Sequence, residues 1–147
     1  MKVIKYTCDG VIAHPRQNSG HENKHRHGIW EDNCLEQLKQ IGIPNKVIER
    51  VHKVKMEFRY KAYTLGLRSY ASEEAVIGLL MKAKIVKDFQ FNNVRNIEHA
   101  GKFEPKRPGF TVWLYVDEGS DKNKGVAFKQ LPVIAENNVK LDGRLRR

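Results

Sequence analysis

The sequence predicts one α+β domain, an antiparallel sheet of about five strands with two or three helices packed on one face. Three observations predict it. In the run VKMEFRYKAY, residues Val54, Met56, Phe58, Tyr60 and Ala62 alternate with Lys55, Glu57, Arg59 and Lys61. Period two with a charged outer set is the pattern of a half-buried strand. After Ser72, the residues Ala75, Val76, Leu79, Leu80, Ala83 and Val86 recur at helical spacing as a wide apolar stripe. Helical patterns fill much of the first half and strand patterns the second, with no regular βαβ alternation, which favours α+β over α/β.

Taken in order, Val3 to Thr7 reads as a first strand, with Val11 to Ala13 continuing it after the Asp9-Gly10 turn. His14 to Gly28 holds Pro15, two glycines, two asparagines and four histidines, and no large apolar side chain. It is expected to be a loop, and its length is above the usual connection. Asp32 or Asn33 is a suitable cap for a helix running to Gly42, carrying Leu35, Leu38 and Ile41. Pro44 then suits the first turn of a second helix with Val47, Ile48 and Val51, so that the two form a helical hairpin. Ser72, followed by Glu73 and Glu74, has the chemistry of a helix start, placing a hydroxyl and negative charge at the positive end of the dipole. That helix is expected to reach about Asp88. Further strands are expected at Phe91 to Ile97, Phe110 to Val116 and Val126 to Ile134, joined by the loop GKFEPKRPG and the hairpin tip DEGSDKNKG. The basic tail from about residue 138 to 147 is expected to fray.

At 147 residues the chain has the size of one ordinary domain that can bury a core without staples. The two cysteines, Cys8 and Cys34, are too far apart for a metal knuckle or a CxxC redox pair, and free, partly buried thiols are expected. The opening residues MKVIKYTCDG lack the apolar core of a signal peptide, and no apolar run approaches membrane-spanning length. A soluble cytoplasmic protein is the expectation, with no membrane partner.

Lys and Arg number 27 against 17 Asp and Glu, a formal charge of +10. Such an excess favours polyanionic partners, nucleic acid first among them. The excess is steepest in residues 43 to 71, where seven basic residues meet two acidic ones.

One motif points elsewhere. His21 to His25 reads HENKH, a literal match to the H-E-x-x-H signature of zinc proteases. That chemistry needs both histidines on one braced helical face, whereas Gly20 and Gly28 bound a short polar stretch with no apolar residue to dock it. The match is therefore read as composition rather than as a protease. Three milder chemical readings stay open, two on this segment and one around His52. His21, His25 and His27 are candidate ligands for a divalent metal, the one cofactor the sequence suggests. His21 and His25 are candidate catalytic groups of a metal-dependent nuclease. His52, with the arginines and lysines around it, has the chemistry of a metal-free ribonuclease.

For binding, Lys55, Arg59 and Lys61 share the exposed side of the predicted strand, with Arg50, Lys53, Tyr63 and Arg68 close in sequence. Lys102, Lys106 and Arg107 form a second basic stretch, the last two between Pro105 and Pro108. Cations of this kind track phosphate backbones, and neighbouring aromatics stack on bases. The leading expectation is a small basic protein that binds RNA or DNA, with the histidine loop closing over the ligand. A nuclease is the rival. A third reading is an inhibitor of viral or mobile-element type that captures an anionic nucleotide or blocks a protein target. A homodimer is compatible with all three.

Overall fold

The computed structural model describes residues 1–13, 21–62, 67–87, 96–141 and 145–146; the side chains of residues 21–23, 67–69 and 145–146 are left aside. The chain runs β1 (Lys2–Asp9), α1 (His21–Ile41), β2 (Val51–Tyr60), α2 (Leu67–Lys82), β3 (Ile97–Phe103), β4 (Gly109–Val116), β5 (Val133–Ile134) and β6 (Leu145–Arg146). The strands form one sheet in the order β5-β1-β4-β2-β3-β6.

The sheet is mixed rather than antiparallel. Strand β4 lies between β1 and β2 and runs antiparallel to both, whereas β2 and β3 pair in parallel from Val54 opposite Ile97 to Tyr60 opposite Phe103. Strands β1, β2 and β3 therefore all point the same way, and each connection between them crosses the sheet in the same direction. Crossovers of one hand, stepping in one direction, deposit their helices on one face. Side chains of α1 (Trp30, Cys34, Leu38) and α2 (Val76, Leu79, Leu80) accordingly join a single core with Ile4, Tyr6, Val54, Met56, Phe58, Phe110, Val112 and Leu114.

Several elements differ from the sequence reading. The His-rich segment is not a loop from residue 21 onward: α1 begins at His21 and runs unbroken to Ile41. Its polar first turns continue an amphipathic helix whose buried stripe is Trp30, Cys34 and Leu38, four residues apart. His27 helps hold this end, with Nδ1 2.9 Å from the Ala13 carbonyl oxygen and Nε2 3.3 Å from Glu31 Oε2. The second helix of the expected hairpin does not form. Residues 43–50 are an irregular connection in which Ile48 makes a parallel bridge to Val86. The Asn123 side chain holds the same connection, accepting from the backbone N–H groups of Glu49 and Arg50 at 3.0 Å and donating to the Arg50 and Asp117 carbonyls. Long-range backbone partners thus outbid a local helical stripe.

Helix α2 starts at Leu67, not at Ser72, which is a fully buried interior residue with its Oγ 3.0 Å from the Tyr60 hydroxyl. The apolar face from Ala75 to Ala83 is as expected. The helix stops at Lys82 instead of near Asp88. Lys84 adopts φ +60° while Ile85 N–H donates to the Leu80 carbonyl and Lys84 N–H to Met81, the left-handed C-terminal cap usually given to glycine.

Strand β2 keeps the alternation of the predicted run but spans Val51–Tyr60, starting three residues earlier and stopping before Lys61 and Ala62, and β4 matches the expected strand at residues 110–116. Residues 11–13 do not continue β1. The strand expected at 91–97 falls mostly outside the described residues, and β3 takes its place, absorbing the first part of GKFEPKRPG. Between β4 and β5 the chain makes 3-10 turns at Asp121–Asn123 and Phe128–Gln130, and only Val133–Ile134 of the strand expected at 126–134 forms. The expected fraying tail is partly docked: Val139 and Leu141 pack with Ile134 on Val3, Trp113 and Tyr115, and Leu145–Arg146 pair with β3. Among the described residues no helix is long and apolar enough to cross a membrane.

Candidate nucleic-acid interface

With both helices on one side, alternation sends the odd-numbered residues of β1, β2 and β4 and the even-numbered residues of β3 to the other side. The registers build rows across this face. One row is Lys5, Trp113, Lys55 and Glu98; above it stand Val3, Tyr115 and Lys53; below it, Thr7, Thr111, Glu57 and Ala100; and at the far end Asp9, Gly109, Arg59 and Lys102.

The lysines cluster at the end near Tyr115. The ammonium groups of Lys53 and Lys55 lie 5.8 and 5.7 Å from the centre of the Tyr115 ring, within cation–π range. Burial pushes the Tyr115 hydroxyl up from its ordinary pKa, and Lys53 opposes that shift. Lys53 also pairs with Glu98 at 3.3 Å. Lys5 and Lys55, on the two strands that flank Trp113, have no carboxylate partner among the described residues. Trp113 and Tyr115 are themselves covered by Lys side chains and by residues 133–141, so their rings are not an open stacking platform.

The opposite end of the face is tied down. Arg59 is buried, donating from Nε to the Arg107 carbonyl at 3.0 Å, from Nη1 to Thr111 Oγ1 at 2.9 Å and from Nη2 to the Cys8 carbonyl at 3.3 Å. Burial lowers its pKa, and Asp9 and Glu57 work against that shift. The guanidinium is fitted into a gap at Gly109, whose φ is +150° and where an added Cβ would stand 2.1 Å from the Cys8 carbonyl oxygen. Arg107 binds Asp9 through Nε at 3.0 Å, and Lys102 pairs with Glu57 at 3.5 Å.

The sequence-selected residues thus divide. Lys53, Lys55, Arg59 and Lys102 share one face, with Arg107 at its end; Lys61 and Lys106 are exposed beyond the ends of β2 and β3, and Arg50 is half-buried just before β2. Tyr63 and the Arg68 side chain lie outside the described residues. His52 is exposed at a bulge where β2 carries one residue more than β4 between Val51 and Lys53. His25 is exposed on α1, and that helix packs across the sheet from Lys55. The helix therefore cannot close over a ligand on the lysine face, because the sheet stands between them. The His21 side chain and all of His14 lie outside the described residues. Among the described residues no group of three or more His, Cys, Asp or Glu side chains is arranged to hold a metal ion.

Sequence reasoning missed two features. Lys5 joins the face only because β4 inserts between β1 and β2, a pairing no local pattern announces. A buried polar pair, His99 Nδ1 and Glu73 Oε1 at 3.6 Å, links β3 to α2 on the helical side, with Phe58 and Tyr70 against the imidazole ring. The Ser72-Glu73-Glu74 pattern places Glu73 in the first turn of a helix; because α2 starts at Leu67, Glu73 is instead a buried interior residue.

No protein-family model matches the chain, and a comparison with curated proteins finds no match.

Proposed function

We propose that the chain binds a polyanion, a nucleic-acid backbone before others, on the helix-free face of the sheet. Lys5 and Lys55 are the primary contacts, with Lys53 beside them and Lys102 further along. The observation that carries this reading is the pair of lysines flanking Trp113, neither matched to a carboxylate among the described residues. They are two strands apart, about 10 Å between backbones at ordinary strand spacing. Lys5 is exposed and Lys55 half-buried, with the Lys55 ammonium over the Tyr115 ring. Because the rings are covered, the contacts are to phosphates, and binding is expected to depend on charge more than on base sequence.

The test is a titration of the protein with single-stranded and duplex oligonucleotides over a range of salt. Affinity should fall linearly in log salt, and the double change Lys5→Ala with Lys55→Ala should flatten the slope by roughly 1.4 to 1.8, the release expected for two phosphates. Absence of binding at low salt, or a slope that the double variant leaves unchanged, would overturn the reading.

A further inference from the structure

The proposed face leaves one pair of nucleophilic side chains unused. Cys8 points inward from β1 and Cys34 inward from α1, and both are fully buried. The Cys8 Sγ is 4.0 Å from the Cys34 carbonyl oxygen. A hydrogen bond to the Cys34 side chain, with burial adding to it, pushes the Cys8 thiol well above the ordinary cysteine range, and both residues belong to the same core cluster. A disulfide asks for Cβ atoms roughly 3.5 to 4.5 Å apart, and the Cys8 sulfur already lies against the backbone of Cys34.

We infer that Cys8 and Cys34 form an intramolecular disulfide that bolts α1 to β1 when the chain meets a peroxide or a small-molecule disulfide. With hydrogen peroxide, the thiolate of one cysteine attacks an oxygen, the O–O bond breaks, and a sulfenic acid forms as water leaves. The second sulfur then displaces the hydroxyl, which departs as a second water with the remaining thiol proton. Two thiols lose two electrons and two protons, and one peroxide becomes two waters.

The setting fixes the kinetics. A thiol pushed up in pKa supplies little thiolate at neutral pH, and burial keeps oxidant away, so the reduced fold reacts slowly and the bond closes mainly during opening or folding. Once closed, the same burial shields the sulfurs from reductants. The bond also encloses the N-terminal part of α1 in a covalent loop, which restricts the unfolded chain and stabilises the fold.

The experiment exposes the full chain to hydrogen peroxide or oxidised glutathione, both in buffer and at the midpoint of a urea transition, followed by alkylation in denaturant and intact-mass analysis. The expected product is a monomer two hydrogens lighter that takes no alkyl label, with the peptides of Cys8 and Cys34 linked to each other. Dithiothreitol should restore two labelled thiols. Oxidation should raise the melting temperature by on the order of 10 °C. Cys8→Ser and Cys34→Ser, as single variants, should each form only mixed disulfides with glutathione and show no such rise. Two alkylatable thiols after treatment at the urea midpoint, or links only between chains, would overturn the inference.

Discussion

The two faces of the sheet obey opposite rules. On the helical face Ile4, Tyr6, Met56, Phe58, Phe110 and Leu114 are sealed under α1 and α2, and even the polar groups there are held in pairs, Tyr60 with Ser72 and Glu73 with His99. On the other face the same strands carry lysines and threonines, with an apolar cluster, among the described residues, where residues 133–141 lie over Trp113 and Tyr115. The contrast teaches that one strand can serve stability with one side and a charged ligand with the other, because alternation keeps the two sets of side chains from competing. It also separates residues that charge alone would group: Arg59 and Lys55 lie four residues apart on the same side of β2, yet one is buried in hydrogen bonds and the other carries no ion pair among the described residues.

The strongest test of the packed side is Phe58→Ala. Removing a fully buried ring that touches Tyr60 and His99 should lower stability by about 3 to 5 kcal/mol, read from urea unfolding. A loss of less than 1 kcal/mol would mean that the helical face is not the core. Arg59→Met sharpens the division within the charged face. It strands the Cys8 and Arg107 carbonyls and Thr111, and should cost about 2 to 3 kcal/mol while leaving the salt dependence of oligonucleotide binding unchanged. The opposite result, little loss of stability and a flatter salt slope, would move Arg59 to the binding set.

Smaller effects follow from Tyr6, whose hydroxyl donates to the Gly42 carbonyl at 2.8 Å. Burial raises its pKa above the ordinary tyrosine value near 10, so the folded state favours the neutral phenol. The stability this contributes is complete below pH about 10 and is lost as pH rises from there through the folded-state value. Tyr6→Phe should cost about 1 kcal/mol at pH 7, and the gap to the parent should narrow in unfolding measured near pH 11. Smallest of all should be the stability effect of Lys55→Ala, within about 0.5 kcal/mol, because its ammonium group makes no ion pair among the described residues. If that single change destabilised the protein as Phe58→Ala does, the lysine would be structural and the binding face would lose its anchor.

Legibility in the sequence followed the range of the interactions. The strand at residues 51–60 and the apolar face of α2 were readable because each is a local periodicity supported by its own burial. Ser72 reads as a cap because a serine before two glutamates looks the same at a helix start as inside a helix; the Tyr60 hydroxyl against it is what distinguishes the two. The HENKH segment looked like a loop since nothing within it docks on a core; the docking comes later, through Trp30, Cys34 and Leu38, and the helix extends backward from them. Lys55 follows from the alternation of its strand, and Lys53 and Lys102 from charge near it, and all three share a face, whereas Lys5, Asn123 and the Glu73–His99 pair need the tertiary contacts.

By itself, then, the sequence determined the α+β class, the charged outer side of β2 and the basic excess, since composition and short periods are written residue by residue. Only the tertiary structure decided that β2 and β3 run parallel, that β4 inserts between β1 and β2, and that Lys5 meets Lys55 across Trp113 while α1 stands behind the sheet. Strand order is chosen by the packing of distant segments and the hand of the crossovers between them, and neither leaves a local mark in the chain.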